Sequence, residues 1–356
     1  MKNLKKFLIS LLVGAFVFSG CGNNKEETVK KEAPKKVEKE EEQVSLTTNE
    51  NLLTGLDDLS EEAIGKRPVA VMINNIEPAM PQYGVEQADI IFEIPVEGDL
   101  TRFMALYGDY TKVPKICAIR SCRYYFPVFS QGFDAIYIFW GMDETVRDYV
   151  DNVMKVEYFD GMEDSNHLFG RDQSRLNAGY GLEHTAYFDG EKFADVVENK
   201  YRTDLNDEYR RPAFNFSDEV IQPSNKTCNT VDINFGAQSS TLEYDAERQV
   251  YLKKMNNKPQ IDGKTNNPLA FTNVLVLNSS ITMRDNGVHK KIDCFGGPDS
   301  SGYYISNGKI QKIHWEKKDN KAKSRLILYD DKGKEIQLNK GKTYIALNRK
   351  ERTEFR

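Results

Sequence analysis

The sequence is poor in the residue patterns that announce a cofactor or a scaffold. Only four histidines occur in 356 residues, His167, His184, His289 and His314, with no HExxH and no paired spacing. A zinc site is therefore not expected, and no other cofactor is called for. Of the five cysteines one is Cys21; the other four, Cys117, Cys122, Cys228 and Cys294, include no CxxC. Four scattered thiols in a chain of this length do not make a disulfide scaffold, and three pairings stay open. Basic surplus is absent: 49 Lys and Arg stand against 54 Asp and Glu, a net charge of -5. That balance gives no electrostatic footprint for nucleic acid. After residue 21 no apolar run is long enough for a membrane-spanning helix. Tryptophan is scarce, two against eighteen tyrosines. Tyrosines suit half-buried packing and stacking on sugars or peptides.

What is present begins at the N-terminus. Lys2, Lys5 and Lys6 precede an apolar stretch from Phe7 to Phe18, followed by Ser19-Gly20-Cys21. The stretch is too short to span a bilayer and has the layout of a signal peptide. Small residues directly before a cysteine resemble the lipobox of bacterial lipoproteins, with Phe18 where Leu is more usual. The resemblance implies cleavage before Cys21 and acylation of its thiol. Two or more acyl chains anchor a protein stably where one binds marginally. The expected location is the extracytoplasmic face of the cell membrane, with the membrane as partner through the lipid on Cys21.

Four segments follow from composition: a signal peptide at 1–21, a charged linker at 22–51, a first folded part at 52–210 and a second at 211–356. The linker alternates Lys and Glu with almost no large apolar residue, so it cannot bury enough surface to fold alone. In the first part, 69–73, 88–96, 103–107 and 135–140 read as strands; 123–132, 143–153 and 190–201 read as helices. Val146, Tyr149, Val150 and Val153 recur at helical spacing behind Asp143, a capable N-cap. Strands alternating with helices predict a mixed α/β domain. The second part carries short β signals at 231–235, 242–244, 250–252, 274–277, 303–305, 309–315 and 325–329. Turns such as Ser306-Asn307-Gly308 and Asp331-Lys332-Gly333 lie between them. It is expected to be a smaller, mostly β domain.

The chemistry concentrates between residues 88 and 123. Alternation along 88–98 places Ile90, Phe92, Ile94 and Val96 on one face and Glu93 and Glu97 on the other. Pro95 lacks a donor, which predicts an edge or a bulge at that end. Thr101 and Arg102 follow, and then Arg120-Ser121-Cys122-Arg123. Arginine suits planar, bidentate grip on carboxylate or phosphate.

These motifs, with Phe169-x-Arg171-Asp172, resemble the YerB-like family of Gram-positive lipoproteins. The resemblance spans the folded part and rests on Glu93, Glu97, Gly98, Thr101, Arg102, Arg120, Ser121 and Arg123. Asp99 stands where the family usually has Gly, and Ala118 where it has Pro. The family's Pro-His-Asn element appears as Glu183-His184-Thr185. The resemblance implies an envelope location strongly and a reaction only weakly.

Three readings of the cluster stay open. In the first, one protonated acid cleaves peptidoglycan as a lytic transglycosylase does, with Glu93 first and Glu97 second as candidates. Such an acid needs partial burial to remain protonated near neutrality. Four residues along a flat strand span about 13 Å, too far for a two-carboxylate glycosidase pair. In the second, Thr101, Arg102, Arg120, Ser121, Arg123, Arg171 and His184 bind an anionic envelope ligand, such as a peptide carboxylate or a polymer phosphate, or the chain binds a protein partner. In the third, both acids pair with Arg102, Arg120 and Arg123 in a structural ion network.

Overall fold

The computed structural model describes residues 48–356, so Cys21, the signal segment and most of the charged linker lie outside the described residues. The described residues form one compact unit. The fold is a mixed α/β N-terminal part with a smaller, mostly β C-terminal part, and one sheet runs through both. Its ten strands lie in the order Leu326–Tyr329, Lys309–Lys317, Ser301–Ser306, Asn273–Asn278, Thr343–Asn348, Ile90–Pro95, Thr101–Tyr107, Val69–Asn75, Ile136–Phe139, Tyr158–Asp160. The sheet thus crosses the expected boundary at 210/211.

The seam is the strand Thr343–Asn348. It pairs in parallel with Asn273–Asn278 on one side and with Ile90–Pro95 on the other. All six of its residues are buried. Sequence reading passes over this strand, because its Tyr-Ile-Ala-Leu run is short and follows a Gly341 turn. It is nonetheless where the C-terminal part inserts into the N-terminal one.

Both faces of the sheet are covered, and this corrects the expectation of a polar face bearing Glu93. Ile90, Phe92 and Ile94 pack in one cluster with Tyr125, Phe126 and Phe129 of the helix Tyr125–Ser130. Ile91 packs on the other side with Phe103, Val231, Ile233, Leu242 and Tyr251. Those last four belong to a second sheet built from Thr230–Asn234, Ser239–Asp245 and Val250–Met255. A strand buried on both sides reads as an apolar run, with Glu93 its one charged exception. Nor is Ile90–Pro95 an edge strand. Its parallel ladder stops at Glu93, so Pro95 loses no bond on that side. The antiparallel ladder with Thr101–Tyr107 continues to Pro95 itself.

Helices are shorter than the periodicity predicts. The 143–153 stretch holds the helix Glu144–Asp148 and then a wider turn, Tyr149–Met154. Asp143 caps it as expected, accepting from the Thr145 amide at 2.9 Å. A three-stranded sheet from Lys115–Cys117, Ala186–Asp189 and Phe169–Arg171 was not legible from pattern. Cys117, Cys122, Cys228 and Cys294 are free and buried.

Glu93 is the buried charge that ties the two parts together. Its carboxylate meets Lys253 Nζ at 3.2 Å, and both side chains are 0 % exposed. Oε1 accepts from Asn75 Nδ2 at 2.9 Å and Thr101 Oγ1 at 2.8 Å. Ser240 Oγ donates at 2.9 Å and Tyr344 OH at 2.6 Å to Oε2. Lys253 Nζ also donates to Ser240 Oγ and to Gln260 Oε1. Asn75, Glu93 and Thr101 come from the N-terminal part; Ser240, Lys253, Gln260 and Tyr344 come from the C-terminal part. Removing one partner of a buried ion pair strands the other charge and costs about 3–5 kcal/mol. Lys253→Ala in the full chain is therefore expected to lower unfolding free energy by roughly that amount. Adding Glu93→Gln should recover part of it, as read from urea denaturation; additive losses would refute the coupling.

Candidate functional site

The residues singled out in the sequence separate into three places. Glu93 and Thr101 belong to the sealed network just described. Thr101 is fully buried and accepts from Gln238 Nε2 at 2.7 Å, so it does not face a ligand. This corrects the expectation that Glu93 and Thr101 line an open site: charge satisfied from both parts of the fold leaves no face for solvent.

Glu97, Arg102 and Arg123 form a second group. Glu97 leaves the strand in a turn where Gly98 takes φ 64°. Arg123 grips its carboxylate with two bonds, Nε to Oε1 at 2.6 Å and Nη2 to Oε2 at 2.9 Å. Arg102 Nη2 stands 3.7 Å from Oε2, and its Nη1 donates to the Ser121 carbonyl at 2.6 Å. Burial would raise the Glu97 pKa, but the Arg123 bonds and charge outweigh it and hold it below its usual range. Glu97 is thus an ionised acceptor rather than a protonated acid. Burial and the neighbouring Arg123 pull Arg102 down to about 10, which leaves it charged at neutral pH. The ion-network reading holds for Glu97 with Arg102 and Arg123; it does not extend to Glu93, whose cation is Lys253, or to Arg120.

Arg120, Ser121 and Arg171 come together elsewhere, in a recess of about 220 Å³ that Trp140, Leu182 and Glu183 help to line. The backbone at Arg120 is held rigidly. Its amide donates to Met72 O at 2.9 Å, and its carbonyl accepts from the Trp140 amide at 3.1 Å. Trp140 stands directly after the strand Ile136–Phe139. Ligands of open α/β sheets often sit beyond such carboxyl ends. Asp160 steadies the following turn by accepting from the amides of Gly141 and Met162. Arg171 closes the strand Phe169–Arg171. Its guanidinium stacks 4.3 Å from the Trp140 ring centre and donates to Leu182 O at 2.7 Å.

Neither guanidinium has a carboxylate in ion-pair contact among the described residues. Arg120 Nε is buried without any hydrogen-bond partner. A buried donor left unmatched is costly, and native structures seldom carry one without reason. Burial lowers the Arg120 pKa; Glu183 opposes that, and Arg123 adds to it. The recess can hold an anion between two guanidiniums and the Ser121 hydroxyl. Among the described residues no group of three His, Cys, Asp or Glu side chains is placed to hold a metal ion.

His184 lies behind this recess rather than in it. Its Nδ1 meets Asn74 Nδ2 at 3.0 Å, and its Nε2 stands 3.6 Å from Glu183 Oε1. Trp140, Leu182 and Glu183 were not singled out as site residues. Trp140 offered one usable signal, a rare tryptophan at the end of a predicted strand. Burial lowers the His184 pKa from 6.5; Glu183 opposes this, and Arg120 and Arg175 reinforce it. The unfolded chain therefore takes up the proton first. The His184 contribution to stability is complete above 6.5 and is lost as pH falls through its lowered folded value. An NMR titration should place the His184 midpoint below 6.5, and Arg120→Ala should move it up; a midpoint above 6.5 would contradict the buried, cation-flanked placement.

Comparison with known proteins agrees with this architecture. Two family descriptions match: the protein of unknown function DUF3048, N-terminal domain, over residues 53–204, and its C-terminal domain over residues 231–345. The chain is 28 % identical over 302 residues to a Bacillus subtilis protein named "Putative lipoprotein YerB", covering 83 % of this chain and 85 % of that protein. The crystal structure of Bacillus subtilis YerB shares the fold, with a TM-score of 0.72 at 24 % identity over 85 % of this chain and 98 % of that one. On these matches the chain belongs to the YerB-like family, built from the DUF3048 N- and C-terminal domains.

Proposed function

We propose that this chain is a lipid-anchored extracytoplasmic lipoprotein whose folded part binds an anionic group of the cell envelope in the recess between Arg120 and Arg171. The lipobox-like Ser19-Gly20-Cys21, and the lipoprotein name of the Bacillus subtilis relative, support the anchor. Among the described residues no helix is long and apolar enough to cross a membrane. The single observation that carries the binding reading is the pair of guanidiniums without carboxylate ion-pair contacts among the described residues, one with a buried unmatched Nε. Charge-assisted bonds from such donors contribute about 1.5–3 kcal/mol each.

Glycan cleavage by one Glu, the lytic transglycosylase reading, has less support. It needs a protonated acid open to substrate. Glu93 is enclosed and paired with Lys253, and Glu97 is held ionised by Arg123. Peptidoglycan enters this proposal as the envelope polymer offering the anionic group, with a protein partner as the alternative source.

One experiment separates the readings. The full chain, incubated with purified sacculi, is expected to co-sediment with them and to release no anhydro-sugar fragments. Arg120→Ala combined with Arg171→Ala should reduce retention at least tenfold. Fragments that disappear with Glu93→Gln would restore the enzyme reading and overturn this one. For the anchor, Cys21→Ala is expected to shift the protein from the membrane pellet to the soluble fraction; unchanged pelleting would argue against lipidation.

A further inference from the structure

We infer that the recess takes the terminal carboxylate of an N-acylated amino acid or peptide whose last side chain is small and aliphatic. This deepens the reading above and rests on it. Size comes first. About 220 Å³ is below the roughly 300–1,000 Å³ of pockets that enclose a whole small ligand. The recess therefore accepts an end group, with the rest of the ligand outside.

Charge narrows the group. Arg120 and Arg171 bring two positive charges, and Glu183 returns one negative charge at the rim. The remainder balances a single negative charge. A carboxylate carries one, as does a phosphodiester, whereas a phosphate monoester carries about 1.5 to 2 near neutrality, so charge disfavours the monoester alone. Geometry agrees. Guanidinium forks match a planar carboxylate with paired bonds. Arg171 already spends a donor on Leu182 O, while neither the Arg120 guanidinium, whose Nε is buried, nor Ser121 Oγ makes a hydrogen bond among the described residues.

The surroundings exclude two other ligands. Leu182 is 59 % exposed at the rim. Met162, 67 % exposed, lies beside it through its sulfur, which accepts from Trp140 Nε1 at 3.1 Å. Large apolar side chains left open around a charged recess fit an aliphatic neighbour of the carboxylate. Inorganic or polymer phosphate offers no such neighbour. A sugar would stack on Trp140, but the Arg171 guanidinium already lies over that ring.

The test uses the full chain in mild detergent. Trp140 and Trp315 are its two tryptophans, and Trp315 is fully buried, so Trp315→Phe leaves Trp140 as the reporter. Isothermal titration calorimetry on the unsubstituted chain serves if that variant is unstable. The probes are N-acetyl-alanyl-alanine in its L,L and D,D forms, the matching C-terminal amides, and inorganic phosphate. The acids are expected to bind and perturb Trp140 emission, and the amides to bind at least tenfold more weakly. Arg171→Gln and Arg120→Gln should each weaken the acids at least tenfold, and Leu182→Ser several-fold. Preference for D,D would point to wall peptides and for L,L to protein ends; either supports the assignment. Amides binding as well as acids would overturn it. Phosphate displacing the acids with the same arginine dependence would overturn the carboxylate while keeping the anion site. Binding of no probe would overturn both.

Discussion

The structure depends on one buried ion pair, Glu93 with Lys253, at the seam between its two halves. A charge inside a protein survives only if paired and hydrogen-bonded throughout. Here the donors come from five elements on both sides of the seam, so neither half can satisfy the network alone. The parallel insertion of Thr343–Asn348 beside Ile90–Pro95 sets the register that brings Tyr344 to the carboxylate. The two parts are therefore halves of one body rather than separable modules.

That constraint changes the meaning of the conspicuous acids. A carboxylate with several donors and a lysine is a structural group, and a carboxylate held bidentately by an arginine is an ionised one. Neither is placed to give a proton to a glycosidic oxygen. The pairing also accounts for which arginines remain available. Arg123 and Arg102 are committed to Glu97 and the Ser121 carbonyl. Of the arginines singled out in the sequence, Arg120 and Arg171 are left facing a recess without a carboxylate in ion-pair contact among the described residues.

The recess is preorganised. Bonds with Met72 and Trp140 fix the main chain at Arg120, and the Leu182 carbonyl and the Trp140 ring hold the Arg171 guanidinium, so an anion bound there would cost Arg171 little side-chain freedom. Net single positive charge, small volume and an apolar rim are independent properties, and the proposed carboxylate ligand rests on all three.

Much of this protein was legible in its residues. The strands at 69–73, 103–107 and 135–140 and seven of the fifteen described strands of the second part follow from alternation and turn chemistry, because those patterns are local; two- and three-residue strands such as Phe216–Ser217 and Thr353–Phe355, and the seam strand Thr343–Asn348, do not. Of the motif Arg120-Ser121-x-Arg123 with Arg171, the structure brings Arg120, Ser121 and Arg171 to one recess and commits Arg123 to Glu97. What could not be read is which charge meets which. Lys253 lies 160 positions from Glu93, and nothing in its own Leu-Lys-Lys-Met surroundings marks it as buried. The roles of Glu93, Glu97 and Arg120 were decided by contacts between distant segments. Pairing, burial and vacancy are properties of three-dimensional neighbours, while sequence determines only the residues available to become them.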